Sequence, residues 1–322
     1  MKSNPSTSWS RLTFAAVFAA AVFAAVSGGQ TSTTAQEADT STPKLPDGQP
    51  DIQGIYISPA GRRIERWTDA EREEWNEKMI VVRGPNPGAY GGEWSEGELR
   101  ERDPNRDRSV VAVVDPPEGR IPWQPWALAK KTYIRNNPYE RQSFLDTRVR
   151  CLPAGTPRGT FSSGYNGWQV LQPPGQVVIL YEHNHLYRII PVDDSPPPGP
   201  DLQLWMGNSR GRWEGNTLVV DVTNFTDKTW VVGELGGEGM SAGSFHSPAL
   251  HVVERFTIVG DGRLDYEATI EDPNVFERPW KIAFPVWKKA PDGYVLFEYA
   301  CHEGNRSTEL TSSLYADSSE QP

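Results

Sequence analysis

Short apolar runs separated by turn residues occupy the chain from about residue 165 onward, and this pattern constrains the fold more than any other feature. The runs are Val177–Glu182, Leu186–Pro191, Leu218–Val222, His251–Val259, Arg263–Ile270, Lys281–Trp287 and Tyr294–Cys301. Several are joined by glycine-bearing connections that favour β-hairpins. Because no helical pattern separates the runs, the sequence argues against a parallel βαβ fold. The sequence therefore predicts a mainly β fold, an antiparallel up-and-down barrel or a strongly curved, calycin-like sheet with one or two covering helices.

Local signals ahead of the sheet predict the covering helices. Thr68 followed by Glu71 forms a capping box, which starts a helix that we expect to reach Met79. A second short helix is predicted over Trp126–Asn136. The first strand is predicted at Gln53–Ile57, where polar and apolar residues alternate.

The N-terminal residues have the layout of a secretory signal peptide. Lys2 and Arg11 precede an apolar run over 12–26, which is followed by small and hydroxyl-bearing residues. This run is shorter than the roughly 20 residues that a bilayer span requires. We predict a signal peptide over 1–35, a polar linker over 36–50 and one β-rich domain over 51–322, whose part 51–150 is irregular and partly helical. The expected location is periplasmic or secreted, with no stable membrane span after cleavage.

The charge and the cysteines limit the partners and the redox state. The 322 residues include 32 basic and 42 acidic ones, giving a formal charge of -10. This charge argues against nucleic acid and against anionic membranes, since both bind through positive charge. Cys151 and Cys301 are the only two cysteines. In an oxidising compartment such a pair favours a disulfide, and neither residue lies in a cysteine-protease signature.

Five histidines, all beyond residue 182, are the strongest candidates for chemistry. They fall at His183 and His185, at His246 and His251, and at His302. Glu182, Glu254 and Glu303 lie beside or near them. Such a set permits acid–base catalysis, binding of a divalent metal, or hydrogen bonding that fixes the register of a barrel.

The alternation of side chains along a strand limits which of these residues can act together, but it does not decide between catalysis, metal binding and a structural role. In a regular strand His183 and His185 share a face, whereas His251 and Glu254 lie on opposite faces. The cupin-type metal pattern fails because no acid follows His185 at the required offset. The serine-hydrolase elbow, the zincin helix motif and the phosphate-binding glycine loop are also missing from the sequence.

Aromatic residues are frequent in the β-rich part, and most are expected in the core. A subset that lines a cavity would suit an apolar, aromatic or sugar ligand. The candidate ligand-binding residues are Trp213, Trp205, Tyr165 and Tyr187.

Several long motifs resemble a large, functionally unassigned family of exported bacterial proteins. They are Leu45–Asp51, Arg150-Cys151, Pro174–Ile190, Gly211–Asp221, Leu250–Thr257, Glu271–Pro273 and Tyr299–Asn305. The resemblance covers nearly the whole chain after the signal peptide, and it implies export but no particular reaction. It is closer at His185, His251 and His302 than at His183 and His246.

These observations predict an exported β-barrel enzyme, a hydrolase or lyase, that performs acid–base chemistry on a neutral small molecule such as a glycoside or an aromatic compound. The predicted catalytic residues are His251, His302, His185, Glu182, Glu254, Glu303 and Arg188, with Arg188 orienting the substrate or stabilising negative charge. One alternative is a calycin-like protein that binds a small ligand without reaction, and another is a metal enzyme that uses the three histidines. The sequence predicts no cofactor, although it is compatible with a bound divalent metal. It does not determine the oligomeric state.

Overall fold

A computed structural model describes residues 42–57, 64–71, 73, 111–138, 140–161, 167–233, 242–260, 262–303 and 305. All of them belong to one compact unit that begins at Ser41. The predicted signal peptide, Tyr165 and most of the first predicted helix lie outside the described residues. In these ranges no helix is both long and apolar enough to cross a membrane.

The described chain is mainly β, with ten strands and few helices. The strands are β1 (Gly54–Ile57), β2 (Val113–Asp115), β3 (Trp168–Leu171), β4 (Gln176–Tyr181), β5 (Tyr187–Pro191), β6 (Asn208–Glu214), β7 (Thr217–Thr223), β8 (His251–Ile258), β9 (Arg263–Glu271) and β10 (Trp280–Lys289). The helices are α1 (Pro125–Asn136) and α2 (Arg158–Phe161), and single 3₁₀ turns lie at Gln142–Phe144 and His183–His185.

The strands form a nearly closed barrel in which, apart from β2, each strand lies beside the strands that precede and follow it in the chain. Nine strands lie in the order β5-β4-β3-β1-β10-β9-β8-β7-β6, each antiparallel to its neighbours, and β2 pairs with β10 off this path. The terminal strands β5 and β6 meet through side chains: Arg188 Nη2 donates to Ser209 Oγ at 2.8 Å. A Cβ on Gly211 would lie 2.8 Å from Ile190 Cγ2, so a larger residue at 211 would hold the two strands apart. The predicted fold class, a barrel with few helices, is confirmed.

Large aromatic side chains fill the barrel. Trp168, Trp280, Trp287 and Tyr56 are almost completely buried. The rings of Trp168 and Trp287 lie 5.1 Å apart, and those of Tyr56 and Trp168 lie 4.9 Å apart. This packing buries apolar surface of the strands and stabilises the closed sheet.

Most predicted elements are observed within one or two residues of their predicted bounds. The capping box is confirmed: Glu71 N donates to Thr68 Oγ1 at 3.2 Å, and Thr68 N donates to Glu71 Oε2 at 2.8 Å. The second helix is α1. The disulfide is also confirmed, since Cys151 and Cys301 are bonded with their Cα atoms 5.6 Å apart.

One predicted strand is wrong, and the short segment between two confirmed strands is not extended. Residues 294–300 belong to no strand, because the edge of β10 that a hairpin partner would use is already paired with β1 and β2. The segment His183–His185 is a 3₁₀ turn in which Asn184 and His185 have positive φ angles of 57° and 49°. The two histidines therefore do not share a strand face: His183 is buried and His185 is exposed.

Candidate functional site

Two predicted site residues, Arg188 and Glu254, meet inside the barrel. Arg188 Nη2 lies 2.5 Å from Glu254 Oε2, and Nη1 lies 3.2 Å from Oε1, so the pair is bidentate. Tyr266 Oη donates a hydrogen bond to Glu254 Oε1 at 2.8 Å. Ser209 Oγ and Tyr181 Oη both accept hydrogen bonds from the Arg188 guanidinium. The network joins β4, β5, β6, β8 and β9.

The two charges stabilise each other in a dry environment. Arg188 is 4% exposed and Glu254 is 0% exposed. Burial alone would lower the pKa of Arg188, but the Glu254 carboxylate raises it above its ordinary value. Burial and the same carboxylate raise the pKa of Tyr266 well above its ordinary value. Because Arg188 and Glu254 neutralise each other, neither charge requires a ligand as its counter-ion. Their hydrogen bonds also connect strands on opposite sides of the barrel's closing seam and so stabilise the closed sheet.

His251 lies on the outer face of the barrel. On β8, Val252, Glu254 and Phe256 are buried while His251 and its alternate neighbours are only partly buried, which confirms that His251 and Glu254 face opposite ways. His251 Nε2 donates to Asp221 Oδ2 at 3.1 Å, and Nδ1 lies 4.0 Å from Glu271 Oε2. The structure therefore gives His251 carboxylate partners that the sequence did not identify, from the strands on either side.

Glu182 and His185 bind the segment 294–303, which we call the C-terminal strap. Glu182 Oε2 accepts hydrogen bonds from Tyr294 Oη at 3.1 Å and from Phe297 N at 3.3 Å. His185 Nε2 accepts from Tyr299 N at 3.1 Å. These two predicted site residues thus hold a strap that the sequence had assigned to a strand.

The remaining predicted catalytic residues are exposed. His302 and Glu303 follow the disulfide-bonded Cys301 in a turn. The structure therefore does not gather His185, His251 and His302 inside the barrel, because His251 points outward and the other two lie at its exposed surface. Over the described ranges, no cluster of three or more His, Cys, Asp or Glu side chains could hold a metal ion.

The predicted ligand-binding aromatics are dispersed as well. Trp213 is half-buried and donates from Nε1 to Gln49 at 2.9 Å. Trp205 is half-buried beside Lys228, and Tyr187 is exposed on the outside of β5. None of these three lines the cleft described next.

A cleft of about 440 Å³ lies between α1 and the segments 65–71 and 120–123. Its lining includes three carboxylates, three cations and an apolar floor: Glu65, Glu71, Glu277, Arg120, Lys131, Arg135, Trp67, Ile121, Trp123 and Leu128. The sequence carried one signal for it. Lys131 occupies a buried position of α1 between Ala127 and Ile134, and lysine is rarely buried without a specific role.

Hydrogen bonds fix the acidic side of this cleft. Glu65 is buried, and its Oε1 accepts from Ile121 N at 2.8 Å, while no described residue donates to its Oε2. Arg120 binds both oxygens of Glu71 at 2.7 and 2.8 Å. Burial acts to raise the pKa of Glu71, but hydrogen bonds from Arg120 and Thr68 lower it to about 2. The acidic side of the cleft therefore contains an Arg120–Glu71 ion pair and a second carboxylate, Glu65, which its hydrogen bond to the backbone holds in place.

Fold and cleft together define an antiparallel β-barrel protein with a filled interior and a lateral polar and aromatic cleft. Comparisons with protein-family models, with curated proteins and with solved structures found no match to the chain. The resemblance to exported bacterial proteins stays a prediction.

Proposed function

We propose that the protein is an exported β-barrel that binds a neutral small molecule, a glycoside or an aromatic compound, in the cleft beside α1. The observation that carries the proposal is the chemistry of that cleft. Its volume of about 440 Å³ lies in the usual range for small-molecule sites. The filled interior argues against the lumenal site that a calycin-like protein would use.

The charges of the cleft favour a neutral ligand. Among the described lining residues, three carboxylates and three cations balance, so this part of the lining has no net charge that would select an anion or a cation. Trp67 and Trp123 supply apolar ring surface, which suits an aromatic ring or a sugar face. The second oxygen of Glu65 can accept a hydrogen bond from a ligand hydroxyl.

Blocking the cleft is expected to weaken binding. Leu128 lines the cleft and is 46% exposed, so Leu128→Arg fills the cleft without disturbing the core. We expect its affinity for the best ligand of a glycoside and aromatic screen to fall by about tenfold or more, measured by calorimetry. The control is Tyr187→Arg, the same substitution at an exposed position on the outside of β5, and this variant should bind like the original protein. Equal affinity in both variants, or no ligand in the screen, would contradict the proposal.

A second candidate function is the predicted acid–base enzyme, a hydrolase or lyase, and the His251–Asp221 pair favours it. With Nε2–H donated to Asp221, the lone pair of Nδ1 can accept a proton from a substrate or from an attacking water. The side chain is 38% exposed, so a substrate can reach it.

A turnover screen tests this candidate across glycosides, esters and aromatic ethers. For any active substrate we expect His251→Gln to lower kcat by roughly 10²- to 10⁴-fold, as loss of a general base does. Val253→Thr, on the same strand face, is the control and should leave kcat unchanged. An activity that survives in His251→Gln would remove His251 from the mechanism.

A further inference from the structure

The C-terminal strap is attached by few contacts other than the disulfide. Its hydrogen bonds to neighbouring side chains are the three to Glu182 and His185 already described. Val295 and Phe297 on the strap are 67% and 63% exposed, so they contribute little burial. The covalent link from Cys301 to Cys151 fixes its far end.

The strap covers a buried histidine, His183. The ring of Tyr299 lies against the ring of His183, with centroids 4.8 Å apart. His183 is 6% exposed, and its Nδ1 has no hydrogen-bond partner in the described part of the chain. A buried, unpartnered ring nitrogen costs free energy, and a ligand that hydrogen-bonds to it would recover part of that cost.

We propose that the strap is a disulfide-locked cover over a site formed by Glu182, His183 and His185. When the disulfide is reduced, the described contacts that hold this end of the chain are the three hydrogen bonds to Glu182 and His185, the ring contact, and the bond from Asn305 Nδ2 to Val149 O at 3.0 Å. Segments held by so few contacts open locally while the rest of the domain stays folded. Opening frees the Glu182 carboxylate and both imidazoles for an incoming ligand.

The unlocking step is an ordinary thiol–disulfide exchange with an external dithiol. One thiolate of the dithiol attacks a sulfur of the Cys151–Cys301 bond, and the other cysteine leaves as a thiolate. The second thiol of the reductant then displaces the mixed disulfide. Two electrons pass from the dithiol to the protein, which gains two thiols, and the reductant becomes a cyclic disulfide.

Histidine modification by diethyl pyrocarbonate, mapped by mass spectrometry, tests the cover. The reagent reacts with accessible neutral imidazole nitrogens, so His183 should be protected in the oxidised protein. After treatment with dithiothreitol we expect its rate of modification to rise by about tenfold or more. The variant Cys301→Ser should show the higher rate without any reductant.

Two other histidines of the chain serve as internal controls. His251 is part-exposed in both states, and its rate should not change. His246 is buried between Thr229 Oγ1 at 2.7 Å and Ser247 O at 2.9 Å, away from the strap contacts, and should stay protected. A rise at His246 equal to that at His183 would mean global unfolding and would overturn the proposal. An unchanged rate at His183 after complete reduction would overturn it as well.

Discussion

Replacing Glu254 with alanine is expected to lower the free energy of unfolding by about 3–5 kcal/mol, because the change leaves a buried guanidinium without its counter-ion. Arg188 would keep only Ser209 and Tyr181 as neutral partners in the barrel interior. Tyr266 would lose the acceptor of its hydroxyl. Urea denaturation followed by tryptophan fluorescence measures the loss.

A surface glutamate provides the matched control. Glu214 pairs with Arg212 and Arg255, but all three side chains are partly exposed to water. Glu214→Ala should cost far less stability than Glu254→Ala, because exposed ion pairs contribute little. A similar small loss in Glu254→Ala would show that the interior network does not hold the barrel together. A double variant, Arg188→Met with Glu254→Leu, removes both charges and is expected to recover most of the stability.

The second large effect concerns pH. Burial lowers the pKa of His183 from its ordinary 6.5 to about 3, and the nearby charges of Arg148 and Arg158 add to this, partly offset by Asp146. Between these values the unfolded chain binds a proton that the folded protein does not. Stability therefore falls as the pH falls from about 6.5 towards 3, by about 5 kcal/mol in total, and His183 adds no further loss below that.

Denaturation curves at several pH values, with an NMR titration of the His183 ring, measure this effect. The variant His183→Gln should lose most of the slope between pH 6 and pH 4, because glutamine does not titrate there. His251→Gln is the control and should retain the slope. An NMR midpoint for His183 near its ordinary value would show that the imidazole is charged in the folded protein.

Local sequence signals predicted the parts of the fold that depend on neighbouring residues. The β8–β9 hairpin was predicted at His251–Val259 and Arg263–Ile270 and observed at His251–Ile258 and Arg263–Glu271. Alternation along β8 also predicted that His251 and Glu254 face opposite sides. Both inferences need only strand periodicity and turn chemistry, which act within about ten residues.

The parts that failed depend on contacts between distant segments. Residues 294–300 have the composition of a strand, but β1 pairs with β10 in the position they would occupy. The Arg188–Glu254 pair joins residues 66 positions apart. The cleft is lined by Glu65, Ile121 and Lys131, which come from three separate segments of the chain. No local sequence pattern predicts that these segments lie next to each other.

The odd number of strands in the barrel accounts for a proline-rich segment that carries no motif. Nine strands that alternate in direction leave β5 and β6 running the same way. The chain must then travel back along the whole barrel before β6 begins, and a tight turn cannot do this. The return path, residues 192–207, contains Pro196, Pro197 and Pro198, and Asn224 Nδ2 anchors it by donating to Gly199 O at 3.0 Å. The prolines stiffen this return path, which lowers the entropy cost of closing the loop that places β6 beside β5.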